Sequence, residues 1–108
     1  MQENTAVIED WLTPDWPAPP GVRAVCTTRH GGHSTGPYSS MNPADHVDDD
    51  PAAVQANRQT LQRVLQLPSQ PCWLQQVHGT TVIDAAEALE NCVVPTADAA
   101  WCTRPGVV

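Results

Sequence analysis

The stretch DPAAVQANRQTLQRVLQLP, residues 50–68, decides the fold class, because it is the one segment whose local signals all agree. Asp50 is an N-cap residue type, and Pro51 suits the first helical position, where a missing N–H costs nothing. The acids at 48–50 mass at the positive end of the helix dipole, which gives the DDD run a structural explanation. Strong helix formers follow, and Val54, Leu61, Val64 and Leu65 fall on one stripe, predicting a helix over 52–66 that is apolar on one side. Leu67-Pro68 ends it, since the residue before a proline is pushed out of helical geometry.

Working outward, β-branched and apolar segments flank this helix. Residues 22–28 (VRAVCTT) read as a buried strand, 72–77 (CWLQQV) and 81–84 (TVID) as short strands around His78-Gly79, and 97–103 (ADAAWCT) as a further strand. Residues 85–90 (AAEALE) are short for a helix. The expected fold class is therefore α+β, a mixed sheet with one clear helix, over a single domain of residues 1–108. Residues 1–21 form a proline-rich lead-in with short apolar pairs at Val7-Ile8 and Trp11-Leu12. Its prolines at 14, 17, 19 and 20 forbid regular helix and keep the chain extended. Two valines after the Arg104-Pro105-Gly106 turn look like the start of another strand, so the domain reads as incomplete.

The chain has 108 residues, with 5 Lys+Arg against 12 Asp+Glu, a net charge of −7. A domain of that size buries only about 60–70% of its unfolded surface. No Phe and 11 Pro leave the core thin, yet 41% apolar residues make the composition globular rather than disordered. Five scattered arginines cannot form the basic patch that neutralises phosphates in a nucleic-acid polymer, so no nucleic-acid partner is expected. No apolar run reaches the roughly 20 residues that span a bilayer, so no membrane partner is expected either. The acidic opening MQENTAVIEDW lacks the order of a secretory signal, which makes a cytoplasmic protein the expectation. Cys26, Cys72, Cys92 and Cys102 are widely spaced, with no Cys-x-x-Cys pair, and are expected as free, mostly buried thiols, Cys26 inert within its strand.

Between the first strand and the helix, residues 29–51 carry Gly, Ser, Pro, Asn, His and Asp without periodicity. So long a loop in a compact domain is usually functional or disordered, and Tyr38 and Met41 offer it apolar pins, which favours an ordered functional loop. Gly31-Gly32 permits close backbone approach, and Arg29 beside exposed N–H groups makes a plausible anion cradle or a structural turn. His30, His33 and His46 lie among Asp45 and its neighbours, but without the ligand spacing of a known metal motif. Arg58, mid-helix, reads as a solvated or salt-bridged residue. His78, between two strand-like segments and before Gly79, is the sharpest candidate: a histidine at a strand end can ligate a metal or move a proton near neutral pH, or can be a satisfied hairpin residue.

Taken in order, TTRHGGHS (27–34), GPYSSMN (36–42), HVDDDPAAVQANR (46–58), WLQQVHGTTV (73–82) and ADAAWCTRPGVV (97–108) resemble the YfiH-type family. That family was long described as multicopper polyphenol oxidases or laccase-domain proteins, and is now described as zinc-dependent purine nucleoside phosphorylases with adenosine deaminase and methylthioadenosine phosphorylase activity. The resemblance runs from about Val22 to Val108. It implies that His78, in QVHG, is a catalytic residue and the first of three metal ligands, for zinc or alternatively copper. The other two lie in an alanine-aspartate-cysteine motif and a histidine-x-glycine-tryptophan-arginine motif, and neither occurs in these 108 residues. It further implies substrate binding by Arg29, Ser34 and Asn42, with a purine nucleoside and phosphate as partners. The sequence departs from the family pattern at Met41-Asn42-Pro43-Ala44 and at Asp48, both in the loop. The expected reading is the N-terminal portion of such an enzyme, inactive by itself, since zinc catalysis takes about three protein ligands and an open position. The competing expectations are a copper polyphenol oxidase and a non-catalytic binding module, with self-association through an open sheet edge.

Overall fold

The computed structural model describes residues 10–108, so the Val7-Ile8 pair lies outside the described residues. The chain divides into two compact units, Met1–Val64 and Leu65–Val108.

The first unit is built on helix α1, Pro51–Val64. Its start follows the sequence: the Ala52 N–H donates to Asp50 Oδ1 at 3.1 Å, and the Val54 N–H donates to the Asp50 carbonyl at 3.0 Å. Val54, Leu61 and Val64 are buried as the stripe predicts, each worth roughly 1.5–3 kcal/mol of hydrophobic stabilisation. Regular helix stops at Val64, and Gln66 lies in the left-handed region (φ 54°) ahead of Leu67-Pro68. That is the usual way for a helix to turn its chain aside. The buried face also carries Asn57 and Thr60, which an apolar pattern does not mark.

The proline-rich lead-in is tied to the unit rather than merely leading into it. Trp11 is buried, and its indole N–H donates to the His30 carbonyl at 2.9 Å. Next to it, Leu12 and Cys26 exchange two backbone hydrogen bonds of 2.8 Å as an isolated antiparallel bridge. Here the expectation of a buried strand over 22–28 is corrected. Within this segment only the Cys26 bridge forms, Val22 and Val25 are exposed, and Cys26 is exposed rather than inertly buried. The β-branched composition describes a surface suited to a sheet, and burial requires neighbouring strands that the described residues do not supply.

The second unit is a small βαβ arrangement. Strand β1, Val82–Asp84, runs directly into helix α2, Ala85–Glu90, and β2, Ala99–Trp101, pairs with β1 in parallel, Val82 opposite Ala99 and Asp84 opposite Trp101. The short AAEALE segment is a helix because both ends are capped. Asp84 Oδ1 accepts from the Ala86 N–H at 2.9 Å. At the other end Cys92 is left-handed (φ 54°), its N–H donating to Leu89 and that of Val93 to Ala88, which closes the last turn. Ala85, Ala86 and Ala88 form its buried face. The expected strand over 72–77 reduces to a single parallel bridge between Gln75 and Thr96. Among the described residues, two α-helices and a two-stranded parallel sheet make the architecture α+β.

The four thiols are free as expected, but none is buried: Cys26 and Cys92 are exposed, Cys72 and Cys102 half-buried. Partial burial pushes the Cys72 thiol above its ordinary pKa. No helix among the described residues is long and apolar enough to cross a membrane.

Candidate functional site

The long loop is ordered, and a polar network on the buried face of α1 orders it. Asn57 is fully buried. Its Nδ2 donates to Ser34 Oγ and to the Asn42 carbonyl, both at 2.9 Å, while its Oδ1 accepts the His33 backbone N–H at 2.6 Å. Ser34 Oγ donates onward to Asp49 Oδ2 at 2.5 Å, and Asn42 Nδ2 donates to the same oxygen at 3.1 Å. His33 Nε2 lies 2.7 Å from Thr60 Oγ1, one turn along the helix. One side chain of α1 thus fixes three separate points of the loop. The Ser34 hydroxyl above all, offset in part by burial and helped by Asn42 and the Asp50 N–H, holds the Asp49 carboxyl below the usual aspartate range.

This network engages two residues expected at the substrate. Ser34 is buried and hydrogen-bonded on both sides, and Asn42 is half-buried, its Oδ1 accepting the Ala44 N–H at 3.1 Å. Arg29, in the same unit, is exposed, with its Nε donating to the Ser39 carbonyl at 2.9 Å. Its own carbonyl accepts the Ser40 and Met41 N–H groups at 2.7 and 2.8 Å, which pins the 29–41 turn. Gly32 is required there: a Cβ would run into Ser40 O and lie 2.6 Å from the Met41 nitrogen. Tyr38 and Met41 anchor the loop as expected, Met41 by burial and Tyr38 by accepting the Asp48 N–H at 3.2 Å. Of the remaining loop histidines, His30 pairs with Asp10 at 2.8 Å and His46 stands 4.0 Å from Asp45, both at the surface. Arg58 is salt-bridged to Asp45 and donates to the Pro43 carbonyl at 2.8 Å.

In the second unit His78 is exposed and left-handed (φ 59°), a conformation uncommon for a residue with a Cβ. Asp98, just before β2, lies against this turn. The Val77 N–H donates to Asp98 Oδ1 at 3.2 Å. Burial works to raise the Asp98 carboxyl, but the surrounding N–H groups of Gly79, Val77, His78 and Thr81 outweigh it and hold the group below the usual range. Only Val77 donates in normal geometry. Asp98 Oδ2 is sealed from solvent and accepts no formed hydrogen bond.

Sequence reasoning passed over Asn57, Asp49 and Asp98. Asn57 had a readable signal, since it follows Val54 by three positions and precedes Leu61 by four, on the buried stripe. Asp49 was absorbed into the capping run, and nothing local marks Asp98. An open cavity of about 330 Å³ in this unit is lined by Ile83, Asp84, Glu87, Ala88, Val93 and Pro95 among others, and includes none of the residues expected at a site.

Residues 23–108 match the profile of a family described as multi-copper polyphenol oxidoreductase laccase. The chain belongs to that family. A Pseudomonas aeruginosa protein named purine nucleoside phosphorylase is 53% identical over 97 residues, covering 90% of this chain and 38% of the relative. The Escherichia coli purine nucleoside phosphorylase YfiH is 42% identical over 97 residues, with 90% of this chain and 39% of the relative covered. Among solved structures, a Neisseria meningitidis protein superposes with a TM-score of 0.79 at 45% identity, over 90% of this chain and 38% of that one. YlmD from Geobacillus stearothermophilus gives 0.75 at 31% identity, over 90% and 39%. The chain therefore spans about two fifths of the length of the relatives it matches.

For a family whose name carries a metal, the donor set decides what the described residues can hold. Among them no three His, Cys, Asp or Glu side chains gather into a group able to hold an ion. His78 offers one exposed imidazole, whereas a catalytic zinc takes three protein ligands. The described residues do not fit a complete metal centre.

Proposed function

We propose that this chain contributes to a purine nucleoside phosphorylase that joins phosphate to the ribose of inosine or adenosine and releases the base. In that reaction a phosphate oxygen attacks C1′, the bond from C1′ to the base nitrogen breaks, and the leaving base takes a proton. Methylthioadenosine phosphorolysis and adenosine deamination are further activities of the same reading. What carries it is the run of relatives named purine nucleoside phosphorylase, 53%, 42% and 39% identical over 90%, 90% and 81% of this chain.

Each unit brings its own residues to this reading. In the first, Arg29 offers an exposed guanidinium for phosphate or another anionic group, while Ser34 and Asn42 serve the substrate by fixing the loop that bears it. In the second, His78 is the proton-transfer residue and one metal ligand, with zinc preferred to copper. Among the described residues no group of side chains completes that metal's centre. For the same reason the 108 residues by themselves are expected to be inactive.

A chimera tests this, with the matching 97 residues of the Pseudomonas relative replaced by those of this chain. Hypoxanthine release from inosine and phosphate is expected from the chimera, and loss of it, with folding retained, from His78→Ala. A folded chimera that is silent while its parent turns over overturns the proposal. The family's description as multi-copper polyphenol oxidoreductases makes copper-dependent phenol oxidation the second reading, and the same chimera, loaded with copper and given a phenol, discriminates the two.

A further inference from the structure

The turn around His78 has an anchor that no motif announces. Asp98 is fixed at the mouth of the parallel sheet: its N–H donates to the Thr81 carbonyl at 2.9 Å, and the neighbouring Ala99 N–H reaches the same oxygen at 3.3 Å, immediately before the Val82–Ala99 register begins. From there its carboxylate reaches back under the turn. Oδ1 takes the Val77 N–H, and a Cβ on residue 79 would lie 3.2 Å from Oδ2, so the carboxylate packs against the bare backbone of Gly79. Burial works to raise its carboxyl, and the backbone N–H groups of Gly79, Val77, His78 and Thr81 outweigh it. Turns whose N–H groups gather at one anion form backbone nests, which pair a right-handed with a left-handed residue. His78 is the left-handed one, at φ 59°. Such a conformation in a residue with a Cβ costs free energy and persists where the surroundings over-determine it.

We infer that Asp98 is a positioning residue for His78: its carboxylate is the anion about which the 77–81 turn is wound, and it holds the imidazole of His78 out to solvent at a fixed place. The glycine at 79 belongs to the same device, since it lets the carboxylate approach the backbone. This inference rests on the proposed role of His78, and it adds a residue that neither touches substrate nor ligates a metal.

The test uses the whole 108-residue chain, followed by NMR, with Asp98→Ala and the near-isosteric Asp98→Asn. In Asp98→Ala the scalar coupling reporting the His78 φ angle is expected to move away from its left-handed value. Amide exchange at Val77 should rise roughly tenfold, as for loss of one charge-assisted hydrogen bond. The imidazole nitrogen signals of His78 should shift, while the amides of α1 keep their protection. Asp98→Asn, which retains one acceptor oxygen but faces the nest with an NH2 group, should show the same changes in smaller measure and decides the matter if the alanine variant does not fold. Wild-type coupling and exchange in the folded variants overturn the inference. None of these readouts needs a nucleoside, so failure of the phosphorolysis assay leaves them standing, and unchanged amides sink the Asp98 role even where phosphorolysis is found.

Discussion

Asn57 shows how much of a loop one residue can organise. Fully buried on a helix of modest length, it spends both amide hydrogens and its oxygen on the loop backbone and on Ser34. A residue type that favours caps and turns is tolerated mid-helix because its side chain finds all its partners across the interface rather than competing for its own helix. Asn57→Ala should cost roughly 1–3 kcal/mol, measured by urea unfolding, because it strands the part-buried His33 N–H and Asn42 carbonyl and removes the buried bond to Ser34. A loss below about 0.5 kcal/mol, the usual range for surface changes, would show that the network does not hold the loop. His78 belongs to the same scale: its position was legible from the motif, but its backbone conformation was not, because that depends on a carboxylate twenty residues further on.

Among elements, the loop is drawn together through Asp49, just ahead of α1. Its carboxyl lies below the ordinary aspartate range, chiefly through the Ser34 hydroxyl, so the folded state binds a proton there less readily than the unfolded chain. The stability this supplies is complete at neutral pH and is lost as pH falls through the lowered folded value. Thermal unfolding followed from pH 7 down to about pH 3 should show a decline in Tm beginning near pH 4. That decline should be shallower in Ser34→Ala, which removes the main cause of the shift; an identical slope in wild type and variant would detach Asp49 from it. Helix α1 itself was readable nearly to its ends, since a capping aspartate, a proline at the first position and a 3.6-residue stripe are all local signals. Helix α2 was not, because six residues owe their helicity to Asp84 at the end of β1 and to a left-handed Cys92.

For the molecule, the second unit leaves apolar side chains of its parallel strands in water: Val82 is 57% exposed, Trp101 53%, and Val94, beyond α2, 64%. Parallel sheets are ordinarily covered on both faces, and open edges invite pairing with another chain. Self-association is therefore expected at about 100 μM, seen by light scattering as a mass rising with concentration, and Trp101→Lys should reduce it. A constant monomer mass across that range would refute this. By itself the sequence determined the family, the α+β class, helix α1 and the presence of an ordered loop, because periodicity, caps and motif order are properties of neighbours along the chain. Only the tertiary structure decided that Ser34, Asn42 and Asp49 form one network under Asn57, that Val22, Val25 and Cys26 are exposed, and that Asp98 bonds the backbone beside His78. Those pairings join residues separated by 7 to 24 positions, as between Asn42 and Asp49 or His33 and Asn57. Hydrogen bonds over such separations form only once the chain has closed on itself and removed water from the groups concerned.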